Sequence, residues 1–354
     1  MKDAKNRLRR SLLSVAAGLT YHSGLLRGLR SAANRWESPV PPNGAMRIPQ
    51  LRRRKGGNVQ VLVYHRVTPK ADEYLPSLSV EAFSRQMRYL AQNCRVLPLT
   101  EAVRTIECGS VPDNAVALTF DDGYRDNFDH AFPILRDLHL PATIFLSTSV
   151  IGTDDILWHD RVFRAFNRTR AARHRGFDLS SNDEKNAAQA AVLTTLKKLE
   201  TTERLERIAE LIEELEVVEP EQNHRVMLDW GEVRQMARSG ITFGSHTVTH
   251  PVLSRIPIEL ARYEITESKR VIETELQCEI DTFAYPNGRS EDYTESTKQA
   301  LKDAGFTCAV TTRFGTNNAH AKPAWDPFEL RRGGPDDAST ALFAAKLSLY
   351  KMTT

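Results

Sequence analysis

From Asn58 onward the chain alternates short, almost wholly apolar runs with longer stretches of helical periodicity, and few folds satisfy that alternation. Residues 59–64 form a compact β-rich run. Residues 80–93 then bring Phe83, Met87 and Leu90 to one helical face, with Ser79 placed as an N-cap. Residues 115–120 read as the next strand, 127–138 as helix and 142–146 as strand again. Further on, 241–243, 282–285 and 307–310 are short strand candidates, separated by helical patterns at 257–276 and 292–304, the latter closed by Gly305. Short apolar strands spaced by helices predict a parallel sheet covered by helices, built as a closed barrel or as an open α/β sheet.

Residues 158–224 break the pattern. They are rich in Glu, Lys, Ala and Leu, carry no strand signal, and read as a helical insertion with helices near 186–199 and 203–215. Such an insertion covers an active-site face, packs against a neighbour or serves oligomerisation.

Residues 1–57 differ again, and read as a basic leader and linker ahead of a body at 58–354. Residues 1–55 hold 13 Lys and Arg against two acids, Asp3 and Glu37, so a formal net charge of +3 for the whole chain leaves the remainder at −8. With no basic face running through that body, nucleic acid is not the expected partner. Leu8, Leu12, Val15 and Leu19 recur at helical spacing among Arg7, Arg9 and Arg10, the pattern of a basic amphipathic helix that lies on anionic lipid through residues 1–36. A helix packed on its own domain or a disordered leader fits the same residues. A secretory signal is a weaker reading, because the apolar core after Arg10 is short. The expected location is therefore cytoplasmic or peripheral at the inner membrane face. No run reaches the roughly 18 apolar residues that span a bilayer. The four cysteines are far apart, form no C-x-x-C pair and read as separate thiols.

The chemistry gathers where strands end. Thr119-Phe120-Asp121-Asp122-Gly123-Tyr124 follows the run at 115–118, and two adjacent carboxylates at a strand end repel each other unless something binds there. A metal ion resolves this if one carboxylate ligates it and the other acts as a base toward water. Gly244-Ser245-His246-Thr247-Val248-Thr249-His250-Pro251 follows another strand. Its histidines are four apart, so in a helical turn both imidazoles face one side and can share a metal. Two histidines and one carboxylate would make a three-ligand site with open positions, the pattern of a hydrolytic metal centre. Phe283-Ala284-Tyr285-Pro286-Asn287-Gly288 ends a third strand in a tight turn that can present a backbone N–H to a developing oxyanion.

T-F-D-D-G-Y, S-H-T-V-T-H-P and F-A-Y-P-N-G, in that order, resemble the polysaccharide deacetylases with a NodB-type domain, carbohydrate esterase family 4. The resemblance covers roughly residues 59–334. Val63-Tyr64-His65-Arg66-Val67 and Trp158 look like the subgroup that includes poly-N-acetylglucosamine deacetylases. It implies an α/β fold, a distorted (β/α) barrel of NodB type, and metal-dependent removal of N-acetyl groups from amino sugars of a polysaccharide or lipid-linked glycan. Asp121 would be the catalytic base. Asp122, His246 and His250 would hold a divalent metal, zinc by donor set, with cobalt, nickel or iron also tolerated. Asn287 would supply the oxyanion N–H.

Departures from the family's pattern leave two other positions to fill. Phe283 stands where the family's Arg would orient Asp121, and Arg332 (or its neighbour Arg331) is the candidate replacement. A C-terminal Leu-x-His, source of the proton for the leaving amine, is missing; His65 is the candidate acid, and His320 reads as surface. A deformylase or other amide hydrolase on a lipid-linked sugar, or an inactive carbohydrate-binding relative, would share most of these features.

Overall fold

The computed structural model describes residues 57–70, 74–217, 225–319, 325–334 and 339–349. The expected leader helix, its linker up to residue 56 and His320 lie outside the described residues.

Seven strands form the centre: β1 Gln60–Tyr64, β2 Ala115–Phe120, β3 Thr143–Leu146, β4 Thr242–Ser245, β5 Thr282–Ala284, β6 Cys308–Val310 and β7 Arg332–Gly333. Strand β1 pairs with β2, and the pairing continues through β3, β4 and β5 to β6, every pair parallel. Strand β7 lies on the other side of β1, with Arg332 opposite Val61. Two residues upstream, Leu330 bridges to Val310 of β6, its N–H donating to Ala309 O at 3.0 Å. The sheet therefore curls into a nearly closed barrel of parallel strands.

Around it run α1 Val80–Asn93, α2 Leu99–Glu107, α3 Phe132–Asp137, α4 Trp158–Arg168, α5 Asn182–Leu196, α6 Thr201–Glu214, α7 Trp230–Arg238, α8 Ile258–Leu276, α9 Glu295–Asp303 and α10 Thr340–Leu349. Ser79 caps α1 as its sequence predicts, its Oγ accepting from the Ala82 N–H at 3.2 Å. The period of two along each strand divides the apolar residues between two cores. Leu62, Val116, Leu118, Ile144 and Phe283 pack outward against the surrounding helices. Val61, Ala117, Phe145, Ala284, Val310 and Leu330 form a second cluster with residues of α2, which fills the barrel interior from one end. Continuing the interior parity past 117 and 119 brings Asp121 to that same face at the carboxyl end of β2. Arg332 follows Leu330 in the same way on β7. Among the described residues all four cysteines are free thiols.

The insertion, described as far as residue 217, holds α4, α5 and α6 and has a core of its own, built around Trp158, Phe166, Leu196, Ile208 and Leu211. It also contains two short antiparallel strands, Arg173–His174 and Phe177–Asp178, where the sequence showed no strand signal. Two residues a side leave no room for an alternating pattern. The hairpin is carried by its turn, where Arg175 and Gly176 both have positive φ, as a tight two-residue connection requires.

Candidate active site

Asp121 and Asp122 leave β2 in opposite directions. The Asp121 N–H donates to Tyr64 O at 3.0 Å, keeping the strand pairing one residue past β1. Asp122 and Gly123 then adopt φ of 77° and 87°, a left-handed kink that an aspartate tolerates better than most residues. Asp121 consequently points toward Arg332, and Asp122 toward the two histidines.

Those histidines do not sit on a helical turn, contrary to the expectation from their spacing. Residues 246–250 form a loop in which Thr247 and His250 have φ of 70° and 57°. A β-branched residue in that region is strained, so the surroundings must hold it. Glu264 of α8 does much of this: its buried carboxylate accepts the N–H groups of Val248 and Thr249 at 2.8 and 2.9 Å and the Thr249 hydroxyl at 2.7 Å. Thr247 Oγ1 accepts the His250 N–H at 3.0 Å. The result resembles a helical turn in one respect only, which is that both imidazoles converge. Glu264→Ala is expected to weaken divalent-ion affinity by roughly 10- to 100-fold, as loss of a group that orients ligands does, measured by competition with a fluorescent chelator.

Asp122 Oδ1 lies 3.5 Å from His246 Nε2 and 3.4 Å from His250 Nε2. Ligand atoms about 2.0–2.1 Å from a tetrahedral ion stand roughly 3.4 Å apart, so the spacing fits a shared cation. The chemistry of the donors fits too. Asp122 Oδ1 is buried without a hydrogen-bond partner. Burial pushes the Asp122 carboxyl well above its usual range, and the neighbouring Asp121 and Asp160 add to it. A bound cation reverses that penalty. His246 Nδ1 lies 2.7 Å from Ala284 O, which can only accept, so Nδ1 carries the proton and Nε2 keeps its lone pair. Burial holds the His246 imidazole down to about 4, and burial with the adjacent His246 and His159 rings holds His250 well below the ordinary range. Both are neutral, the form a metal needs.

Arg332 reaches Asp121 from the opposite wall in a bidentate pair, Nη1 to Oδ1 and Nη2 to Oδ2, each 2.7 Å. Its Nε donates to Thr311 O at 2.7 Å, which fixes the plane of the fork. Burial alone would raise the Asp121 carboxyl; the guanidinium overrides it and holds the group at about 2. Phe283 is buried in the outer core, away from Asp121, and the guanidinium comes instead from a different strand. Arg331 turns away, its side chain packing against Gly315.

His65 Nε2 is 3.9 Å from Asp121 Oδ2, with its side chain 37 % exposed. Burial and Arg332 lower its proton affinity, partly offset by Asp121. Asn287 sits in the turn after β5 with φ of 61°, its carbonyl accepting the Thr312 hydroxyl at 2.6 Å. All seven residues singled out in the sequence line one cavity of about 220 Å³ or, for Arg332, contact its wall through Asp121.

The insertion supplies the rest of the lining through His159 and Phe163 of α4 and Leu193 and Lys197 at the end of α5. It is anchored to the loop at 246–250 by Trp158 Nε1, which donates to His250 O at 3.0 Å, while the Arg204 guanidinium stacks 4.8 Å above the Trp158 ring. His159 Nε2 lies 3.1 Å from the Tyr124 hydroxyl, which donates to Asp160 Oδ2 at 2.9 Å. Burial keeps the His159 ring down to about 3. Sequence reasoning did not single out His159 or Asp160, and it gave Tyr124 no role beyond closing the T-F-D-D-G-Y motif. The available signal was the His-Asp pair in the first turn of a helix whose other inward residues are apolar.

The family model for polysaccharide deacetylases matches residues 109–309, more than half of the chain. The Bacillus subtilis protein YxkH is 22 % identical over 267 residues, covering 75 % of this chain and 68 % of that one. The poly-beta-1,6-N-acetyl-D-glucosamine N-deacetylase of Staphylococcus epidermidis is 37 % identical over 78 residues, 22 % of this chain and 27 % of that relative. Among solved structures, the Streptococcus pyogenes deacetylase PplD aligns with a TM-score of 0.56 at 18 % identity, covering 82 % of this chain and 98 % of that one. IcaB from Ammonifex degensii aligns with a TM-score of 0.53 at 20 % identity, covering 83 % and 98 %. These structures share the fold, and the family match spans both the acidic doublet and the two histidines. The chain belongs to the polysaccharide deacetylase family.

Proposed function

We propose that the chain hydrolyses N-acetyl groups from the amino sugars of an N-acetylglucosamine-containing polysaccharide, with a divalent ion, zinc by donor set, held by Asp122, His246 and His250. One observation carries this reading: a second carboxylate, Asp121, held ionised by Arg332, in the same cavity as the three convergent ligand atoms. A site that only bound sugar would have no use for a spare, buried, ionised acid. The Staphylococcus epidermidis relative's activity supports the choice of acyl group and sugar.

When bound, a divalent ion supplies positive charge that acidifies water and polarises the acyl carbonyl. The protein does the remainder. Each Asp121 oxygen receives one guanidinium N–H and keeps a lone pair for the proton of the attacking water. A carboxyl at about 2 is a weak base, so it is suited to an acidified water and to little else. His65, which lines the same cavity with Nε2 3.9 Å from Asp121 Oδ2, would give a proton to the departing amine. Asn287, in a turn that lines the cavity, would offer its N–H to the oxyanion. His246 and His250, kept neutral, bind without having to lose a proton first.

Acetate release from N-acetylglucosamine oligomers by purified protein tests the reading. Release that a chelator abolishes and added zinc or cobalt restores is the expected result. Metal-saturated protein that releases neither acetate nor formate from any amino-sugar oligomer overturns it, and formate alone reassigns the acyl group.

A further inference from the structure

The metal cavity holds one charge that the reaction above does not use. Lys197 caps the C-terminus of α5, one turn beyond Leu193, and both side chains line the cavity with the three ligand residues. Among the described residues no carboxylate lies within 4 Å of its ammonium, although Asp292 is near enough to act on it electrostatically. Asp292 has its own partner in the Arg289 N–H, at 2.9 Å from Oδ2. The acids that line the cavity are also engaged, Asp121 by Arg332 and Asp122 by the ligand cluster, and Asp160 behind it is held by Tyr124 and the Leu75 N–H.

Arg289, after the Asn287–Gly288 turn, is 69 % exposed and pairs with Glu291, Nη1 to Oε1 at 4.0 Å. Burial lowers the proton affinity of Lys197, and the Arg289 guanidinium lowers it further. An N-acetylated sugar is neutral, so its hydroxyl and acyl oxygens can accept from a half-buried ammonium but bring no countercharge to it. A half-buried ammonium beside a site that would also bind a divalent ion is disfavoured unless a ligand brings negative charge.

We propose that Lys197 recognises an anionic group on the glycan, a carboxylate or a phosphodiester, carried by the sugar next to the one deacetylated. The inference rests on the deacetylase reading and names the substrate class of the same site. The insertion thereby acquires a role of its own, with α5 carrying the specificity of a barrel whose own strand ends carry the chemistry.

The test compares kcat/KM for three oligosaccharides of equal length: neutral N-acetylglucosamine, one with a uronic acid beside the reacting sugar, and one with a phosphodiester there. Wild-type protein should prefer one of the two acidic substrates, and which one identifies the anion. Lys197→Met should lower kcat/KM for that substrate roughly tenfold, mainly through KM, as loss of a charge-assisted hydrogen bond does. The neutral substrate should change less than about twofold, and Lys197→Arg should keep most of the preference. Equal losses on neutral and acidic substrates, or no preference in the wild type, overturn the proposal.

Calorimetric binding of the same oligosaccharides to metal-loaded Asp121→Asn protein, with and without Lys197→Met, decides the matter independently of turnover. If no substrate is turned over, the deacetylase reading fails. An acidic preference in binding that disappears with Lys197→Met still upholds the anion site, and its absence removes it.

Discussion

Asp121→Asn is expected to lower kcat for acetate release by roughly 10²- to 10⁴-fold, the range associated with loss of a general base, while the divalent-ion stoichiometry stays unchanged. The two carboxylates of the doublet differ in what they face. Asp122 is the one whose Oδ1 lies 3.5 and 3.4 Å from the histidine nitrogens. Asp121 faces the other way and reaches Arg332. An asparagine keeps the shape and one acceptor oxygen but cannot take the proton. Metal content, read by inductively coupled plasma analysis, should therefore match the wild type, whereas Asp122→Asn should lose metal and activity together. A fall in kcat below about tenfold would remove Asp121 from the role of base. Loss of metal in Asp121→Asn would show that the two acids share the ion.

What the sequence disclosed and what it withheld divide by the range of the interactions. The strand at 115–120 and the doublet after it were legible because local features define both: an unbroken apolar run, and then two acids and a glycine. The Ser79 cap was legible for the same reason, since its acceptor and donor are three residues apart. The spacing of His246 and His250 suggested convergence correctly and the backbone incorrectly. Thr247 and His250 are left-handed because Glu264, on a later helix, holds the loop, and nothing within those five residues announces it. Arg332 was readable only as one of two neighbours. The choice was made by strand register: β7 pairs with β1, which puts Arg332, but not Arg331, on the interior face that also holds Asp121. The insertion's helices were visible from composition, but their placement over the cavity depends on Trp158 meeting the His250 carbonyl, a contact between residues 92 positions apart. His159 and Lys197 enter the site only through that docking.

Arg332→Met should destabilise the protein by about 3–5 kcal/mol, the cost of breaking one side of a buried ion pair, and the loss should depend on pH in a defined direction. In the wild type Asp121 titrates at about 2, below the ordinary carboxylate value of 3.8. A depressed carboxyl contributes stability that is fully present above the ordinary value and is lost as pH falls through the lowered one. Removing the guanidinium leaves burial as the dominant influence on Asp121, and burial raises the carboxyl. The variant then carries an unpaired buried anion at neutral pH that protonation relieves in acid. Its deficit in melting temperature should be largest at neutral and alkaline pH and should narrow as pH falls. The acid limb of its activity profile should move to higher pH, because the base must be ionised to work. Arg332→Lys keeps a charge but not the fork that spans both Asp121 oxygens and Thr311 O, so it should fall between the two. Combining Arg332→Met with Asp121→Asn removes both partners, and replacing both members of a buried polar pair is far less costly than orphaning one. The double variant should therefore melt above Arg332→Met alone at neutral pH while remaining as inactive as Asp121→Asn. A pH-independent deficit, or a double variant less stable than Arg332→Met, would mean that Arg332 acts mainly through packing and through Thr311.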